Sequence, residues 1–154
     1  MQYWLMKSEP DVFGIDDLRT NPDQTEPWDG VRNYQARNMM RDEMKSGDLA
    51  LFYHSNCKPP GIAGVMKIVK TSYPDHTSWD PESKYFDPKS TIDAPRWFMV
   101  DVKFEEAFSE LIPLNTLKTI PALHEMKILQ KGNRLSITPV TPKEWAAIIK
   151  LAHA

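Results

Sequence analysis

A single cysteine, Cys57, stands among the 154 residues, so no internal disulfide can form and the core alone must hold the fold. That scarcity fits a reducing compartment, and a cytoplasmic location, nuclear in a eukaryotic cell, is expected. No apolar run approaches the roughly 18 residues needed to cross a bilayer, which excludes a helical membrane span. The opening Met1-Gln2-Tyr3-Trp4-Leu5-Met6-Lys7 lacks a basic start and a small-residue cleavage site, so a strand is expected there rather than a secretory signal. Positive charge is not in excess either. A net charge of −2 excludes a protein that coats nucleic acid by bulk attraction, since such binders rely on many phosphate contacts. Any nucleic-acid binding must use a local pocket and a small basic patch. Glycine is sparse, 6 against 13 prolines, so the connections should be ordered.

What is present reads as one domain over residues 1–154, with 41% apolar and 26% charged residues. Strands are expected over 2–8, 49–55, 62–70, 96–104 and 134–137, from β-favouring residues and from alternation. In the fourth, Phe98, Val100, Val102 and Phe104 form a core face, which leaves Trp97 off that face at the strand's start. Short helices are expected over 14–19 and within 113–126. A longer one runs from Asn33 to Met44, with Ala36, Met40 and Met44 inward and Asn33, Arg37 and Arg41 as a polar row. That row is either a solvated face or a phosphate-facing one; spacing leaves both open. Thr141-Pro142-Lys143-Glu144 combines an N-cap, a proline at the first helical position and a reciprocal glutamate, which starts a closing helix. Residues 73–95 form a long connection carrying Trp79, Tyr85 and Phe86, read as an ordered flap. Strands and short helices without regular alternation give an α+β fold, a small mixed barrel.

The chemistry concentrates in Trp28-Asp29-Gly30-Val31-Arg32-Asn33-Tyr34-Gln35-Ala36-Arg37-Asn38. Rings stack on flat ligands, amides read donor and acceptor patterns, and arginines hold phosphate. The competing reading makes Asn33 a helix cap and Trp28 a core plug. His54, Cys57, Asp75 and His76 lack any recognised metal spacing, and a Cys57–His54 nucleophile pair has no geometric support at a strand end. No metal, cofactor or membrane partner is expected.

Tyr3 to Pro10, Trp28 to Asn38, Phe52-Tyr53-His54-Ser55-Asn56, Pro59 to Gly64, Tyr85 to Lys89, Pro95-Arg96-Trp97 and Gly132 to Ile137 together resemble the EVE domain family across the whole chain. The resemblance implies a PUA-like mixed pseudo-barrel of five to six strands with short flanking helices. It also implies non-catalytic recognition of a modified base in DNA or RNA, and a likeness to the YTH domain, a reader of methylated adenine. Carried over by position, Lys7 and Ser8 fall at the pocket rim near phosphate. The first cage tryptophan falls near Trp28 to Arg32, a stretch that includes Val31, and the second falls on Trp97. Asn33 and Asn38 become amide readers, Tyr53, His54 and Ser55 the floor, Arg134 or Arg32 the backbone contact, and Trp79 a flap contributor. Where the YTH pattern has asparagines, this chain has Glu9-Pro10, which argues for an acceptor reading an exocyclic amine such as that of cytosine. The alternative function is a pocket that holds, or turns over, a small planar metabolite or modified nucleoside, with Glu9 as the acid–base candidate.

Overall fold

The computed structural model describes residues 1–154 and gathers six strands into one sheet. They are β1 (Tyr3–Ser8), β2 (Thr25–Pro27), β3 (Leu49–His54), β4 (Gly61–Pro74), β5 (Phe98–Pro113) and β6 (Ile137–Val140). Their order across the sheet is β2-β5-β4-β3-β1-β6, with β1 and β3 parallel and the other neighbours antiparallel. The helices are short: α1 (Pro10–Phe13), α2 (Ile15–Thr20), α3 (Tyr34–Asn38), α4 (Leu114–Leu117) and α5 (Pro142–Ala152). This is the α+β, PUA-like arrangement that the sequence implies.

Both faces of the sheet are covered, and so β1 and β3 read as nearly continuous apolar runs. Trp4, Met6, Ala50, Phe52, Val100 and Val102 point to one side, into a core shared with Ile15, Leu18, Trp28, Ala36 and Met40. Their strand neighbours Leu5, Leu51 and Tyr53 point to the other, against Leu117, Leu123, Met126 and Ile148. Ala36, Met40 and Met44 are all buried, as the helical spacing requires. The helix itself is shorter than the pattern suggests: after Asn38 the chain widens into a π-turn over Met39–Glu43, where Met44 N donates to Met39 O at 2.9 Å.

Bulges curl β4 and β5 where their register slips at Gly64 and beyond. A Cβ on Gly64 would lie 2.2 Å from the carbonyl oxygen of Glu106, so glycine lets the two backbones close there. β2 lies within residues 21–30, which read as plain loop from sequence; three residues carry too little alternation to announce a strand. β6 begins at Ile137 rather than Arg134 and contains Pro139, tolerated because β6 is the sheet's edge. The start of α5 is as expected: Thr141 Oγ1 accepts from Glu144 N at 3.1 Å, and Glu144 Oε1 accepts from Thr141 N at 3.0 Å.

Candidate functional site

Three segments meet around a hollow of about 600 Å³ on the side of the sheet where α1 and α3 lie. The end of β1 and the turn into α1 contribute Lys7, Ser8, Glu9, Val12 and Phe13. β2 contributes Glu26, the run that leaves it contributes Trp28, Asp29, Gly30, Val31 and Arg32, and the flap adds Lys84 and Tyr85. Ser55, Arg134 and Ser136 complete the rim. β2 ends at Pro27, and Trp28 N still donates to Val100 O at 2.8 Å, which holds the start of this run against β5.

Asp75 builds the wall. It is fully buried, and its carboxylate accepts from Gly30 N at 2.9 Å, Arg32 Nη1 at 3.0 Å and Thr77 N at 2.9 Å. Arg32 also donates through Nε to Tyr85 O at 2.9 Å and through Nη2 to Thr77 Oγ1 at 3.2 Å. One carboxylate and one guanidinium thus tie the loop after β2 to the flap. Gly30 has φ +80°, and a Cβ there would sit 2.6 Å from the Tyr85 ring, so only glycine lets that ring lie on the loop.

The lining mixes three chemistries. Glu9, Glu26 and Asp29 are acceptors, and Glu9 Oε1 already takes a bond from Asn56 Nδ2 at 3.0 Å. Burial pushes the Glu26 carboxyl up, opposed by a hydrogen bond from Asn21. Asp29 is raised too, by burial first and then by the charge of Asp75. Lys7, Lys84 and Arg134 are cations with no carboxylate within ion-pair distance, and burial lowers the Lys7 ammonium. The rings are Trp28, Phe13 and Tyr85, with Trp28 set edge-on against Phe52 at 5.5 Å and 85°. The indole N–H groups of Trp4 and Trp97 are bonded to Asp48 and Asp87, whereas Trp28 donates to no protein acceptor.

Of the residues expected at the site, Lys7, Ser8, Glu9, Trp28, Val31, Arg32, Ser55 and Arg134 line the hollow. The other six do not. Trp97 is buried outside the lining, stacked on Tyr34 at 4.7 Å with its Nε1 bonded to Asp87 at 2.7 Å, and so it braces the flap. Tyr53 projects to the opposite face of the sheet, because strand side chains alternate and Phe52 takes the inner side. Asn33 caps α3, its side chain accepting from Ala36 N at 3.0 Å, and Asn38 accepts from Arg37. His54 accepts from Ile15 N at 3.1 Å through Nε2 and lines a second, separate hollow of about 510 Å³ with Ala107 and Leu111. Trp79 ends a short 3-10 turn outside the lining. Arg32 lines the hollow with its guanidinium bonded to Asp75, Tyr85 and Thr77.

The sequence reading missed Glu26, Asp29 and Tyr85 as lining residues. A signal existed for Tyr85, an aromatic in the flap's Tyr85-Phe86-Asp87-Pro88 block. Nothing in sequence joined Asp75 to Arg32 across 43 positions. No three His, Cys, Asp or Glu side chains converge in a metal-holding group. Burial raises the Cys57 thiol, the wrong direction for a nucleophile.

A mixed six-stranded sheet with short helices, open at a hollow of acceptors, cations and rings, is the arrangement of a PUA-like module. The chain belongs to the EVE domain family, whose pattern matches residues 2–151. It is 50% identical to thymocyte nuclear protein 1 of Danio rerio over 97% of this chain and 71% of that protein. A crystallised protein of Pseudomonas syringae is 51% identical, with a TM-score of 0.93 over 97% of this chain and 99% of the other. Human THYN1, solved in complex with 5-methylcytosine-containing DNA, is 47% identical with a TM-score of 0.93, over 100% of this chain and 99% of that one. Relatives thus occur in vertebrates and in a bacterium, and the family is not tied to a nucleus.

Proposed function

We propose that this chain is a non-catalytic reader of a modified cytosine, 5-methylcytosine in DNA being the first candidate, with one base swung out of its strand into the hollow beside Trp28 and Tyr85. The observation that carries the reading is the lining, in which carboxylates stand among aromatic and aliphatic walls. A carboxylate accepts from the exocyclic N4 amine that distinguishes cytosine, and an aliphatic wall such as Val31 suits a 5-methyl group as it does the methyl of thymine. Ser8 already donates its hydroxyl proton to Phe13 O at 2.6 Å, which leaves its oxygen lone pairs for a ligand donor. The volume lies within the roughly 300–1,000 Å³ of small-ligand sites. The complex recorded for human THYN1 supports the same class of ligand. Extruding a base costs a few kcal/mol, and stacking on an aromatic wall returns about 1–3 kcal/mol.

The test is a panel of oligonucleotides, DNA and RNA, that differ only in one cytosine. Fluorescence anisotropy should show at least tenfold tighter binding of the 5-methyl DNA than of its unmodified twin, a gap of about 1.4 kcal/mol. Equal affinity across the panel, or turnover of free 5-methylcytidine by the purified protein, would remove this reading.

A further inference from the structure

An aromatic and cationic ladder leads out of the hollow. Lys84 Nζ lies 5.1 Å from the Tyr85 ring, the Arg32 guanidinium 5.7 Å from Tyr85 and 5.5 Å from Trp97. Trp97 stacks on Tyr34 at 4.7 Å, and the Arg37 guanidinium lies 4.7 Å from the Tyr34 ring. The outer end is exposed: Tyr34 is 50% accessible, and Arg96 joins it through a 3.4 Å bond from Nη1 to the Tyr34 hydroxyl. Arg37 is held in place by Arg96 O, which accepts from its Nη1 at 2.9 Å, and by Asn38 Oδ1, which accepts from its Nη2 at 2.8 Å.

These two arginines differ from the three that are ion-paired. Arg19, Arg32 and Arg41 pair with Asp16, Asp75 and Asp42, whereas Arg37 and Arg96 have no carboxylate within ion-pair distance. Asp87 feels the charge of Arg96, but its oxygens are bonded to Trp97 Nε1 and Lys89 N. Arg37 sits against the like charge of Arg41, which outweighs the opposite charge of Asp42. In a chain of net charge −2, two neighbouring guanidiniums with no ion-paired carboxylate, one ring layer beyond the hollow, mark where an anion is expected.

From this arrangement we infer that Arg37 and Arg96 clamp the phosphates of the strand flanking the extruded base, so that the polar row on α3 is phosphate-facing. The inference rests on the base-reading function proposed above and extends its footprint. The partner is a nucleic-acid backbone, because Trp97 places the clamp within a few nucleotides of the hollow at about 3.4 Å of axis per phosphate on each strand. Guanidinium groups fixed by their neighbours meet phosphate oxygens in paired geometry. This contact positions the strand and carries no base information.

The experiment compares the wild-type chain, Arg96→Ala and Arg37→Ala/Arg96→Ala on a methylated and an unmethylated duplex, at several salt concentrations. Arg96→Ala removes one weak bond to Tyr34, so the fold is kept; thermal melting checks this for both variants. The double variant should bind both duplexes about tenfold or more weakly, with the slope of log K against log salt smaller by about 2 and by about 1 for Arg96→Ala alone. The ratio of methylated to unmethylated affinity should stay within twofold of wild type. Unchanged affinity and slope in a folded double variant overturn the clamp. A clamp effect on duplexes between which wild type does not discriminate keeps the clamp and removes the base reading instead. Absence of binding to any duplex by wild type overturns both.

Discussion

Gly30 carries more of the site than its size suggests. With φ at +80° and the Tyr85 ring 2.6 Å from where a Cβ would stand, Gly30→Ala must push the ring out of the wall. The expected result is a loss of about 1–2 kcal/mol in stability from the left-handed backbone, read by thermal or urea unfolding. Affinity for a methylated oligonucleotide should fall about tenfold alongside it. Asp29 makes the opposite trade. Burial and Asp75 raise its carboxyl, so the folded chain holds that proton more tightly than the unfolded chain does. Stability therefore falls as pH rises from about 4 through the raised value, and it stays lower above. Asp29→Asn should be more stable than wild type at pH 7, with the gain vanishing near pH 4. It should also bind the methylated base more weakly, because an amide offers a poorer acceptor to N4 than a carboxylate does. Unfolding and binding measured on the same samples check both halves. At this scale the sequence was partly legible. Lys7, Ser8, Glu9 and Trp28 are readable from motifs, whereas nothing in the Trp28–Asn38 run singles out Asp29 as a lining residue.

The element on which the site depends is the flap from Asp75 to Trp97. Its two anchors are the Asp75–Arg32 pair and the Trp97 ring, which stacks on Tyr34 and bonds Asp87. Asp75→Ala leaves Arg32 facing the interior without its counter-charge. Because Arg32 is partly exposed, about 2–3 kcal/mol of lost stability is expected rather than the full buried-pair value. Amide exchange over residues 75–90 should quicken more than exchange in β3, which separates a loosened flap from a weakened barrel. Trp97 shows how far strand alternation reaches. The pattern correctly left that ring off the face of Val100 and Val102, and it could not reveal that Tyr34 and Asp87 would cover it there. Tyr53 failed for the same reason in reverse. A motif position named it, and the period of two sent it to the far side of the sheet. β2 escaped because it is a three-residue edge, and the ends of β4 beyond residue 70 and of β5 beyond residue 104 escaped because bulges interrupt alternation, while the capped start of α5 was plain from four residues.

Across the whole molecule, one sheet carries two cores, with the first hollow on the side of α1 and α3 and α5 packed on the other. His54 stitches α2 to β3 as a neutral acceptor, and burial lowers its pKa. The unfolded chain then binds that proton more readily, so stability is complete above about pH 6.5 and is lost as pH falls through the lowered folded value. A melting profile from pH 7.5 to 5 should show this decline, and His54→Gln should flatten it. The fold class was visible from composition and strand spacing together with the family resemblance. The hollow's floor was not, since it is assembled from segments some 50 residues apart, as Arg32 and Tyr85 are.

The central claim is that a cytosine base enters the hollow between β1, the Trp28–Arg32 loop and the flap. A titration of ¹⁵N-labelled protein with a 5-methylcytosine oligonucleotide, followed residue by residue in NMR spectra, tests it most directly. The largest shifts are expected at the Trp28 indole N–H and the amides of Ser8, Gly30 and Tyr85, with Leu123 and Trp145 unmoved. Shifts confined instead to His54, Ala107 and Leu111, the lining of the second hollow, would contradict it.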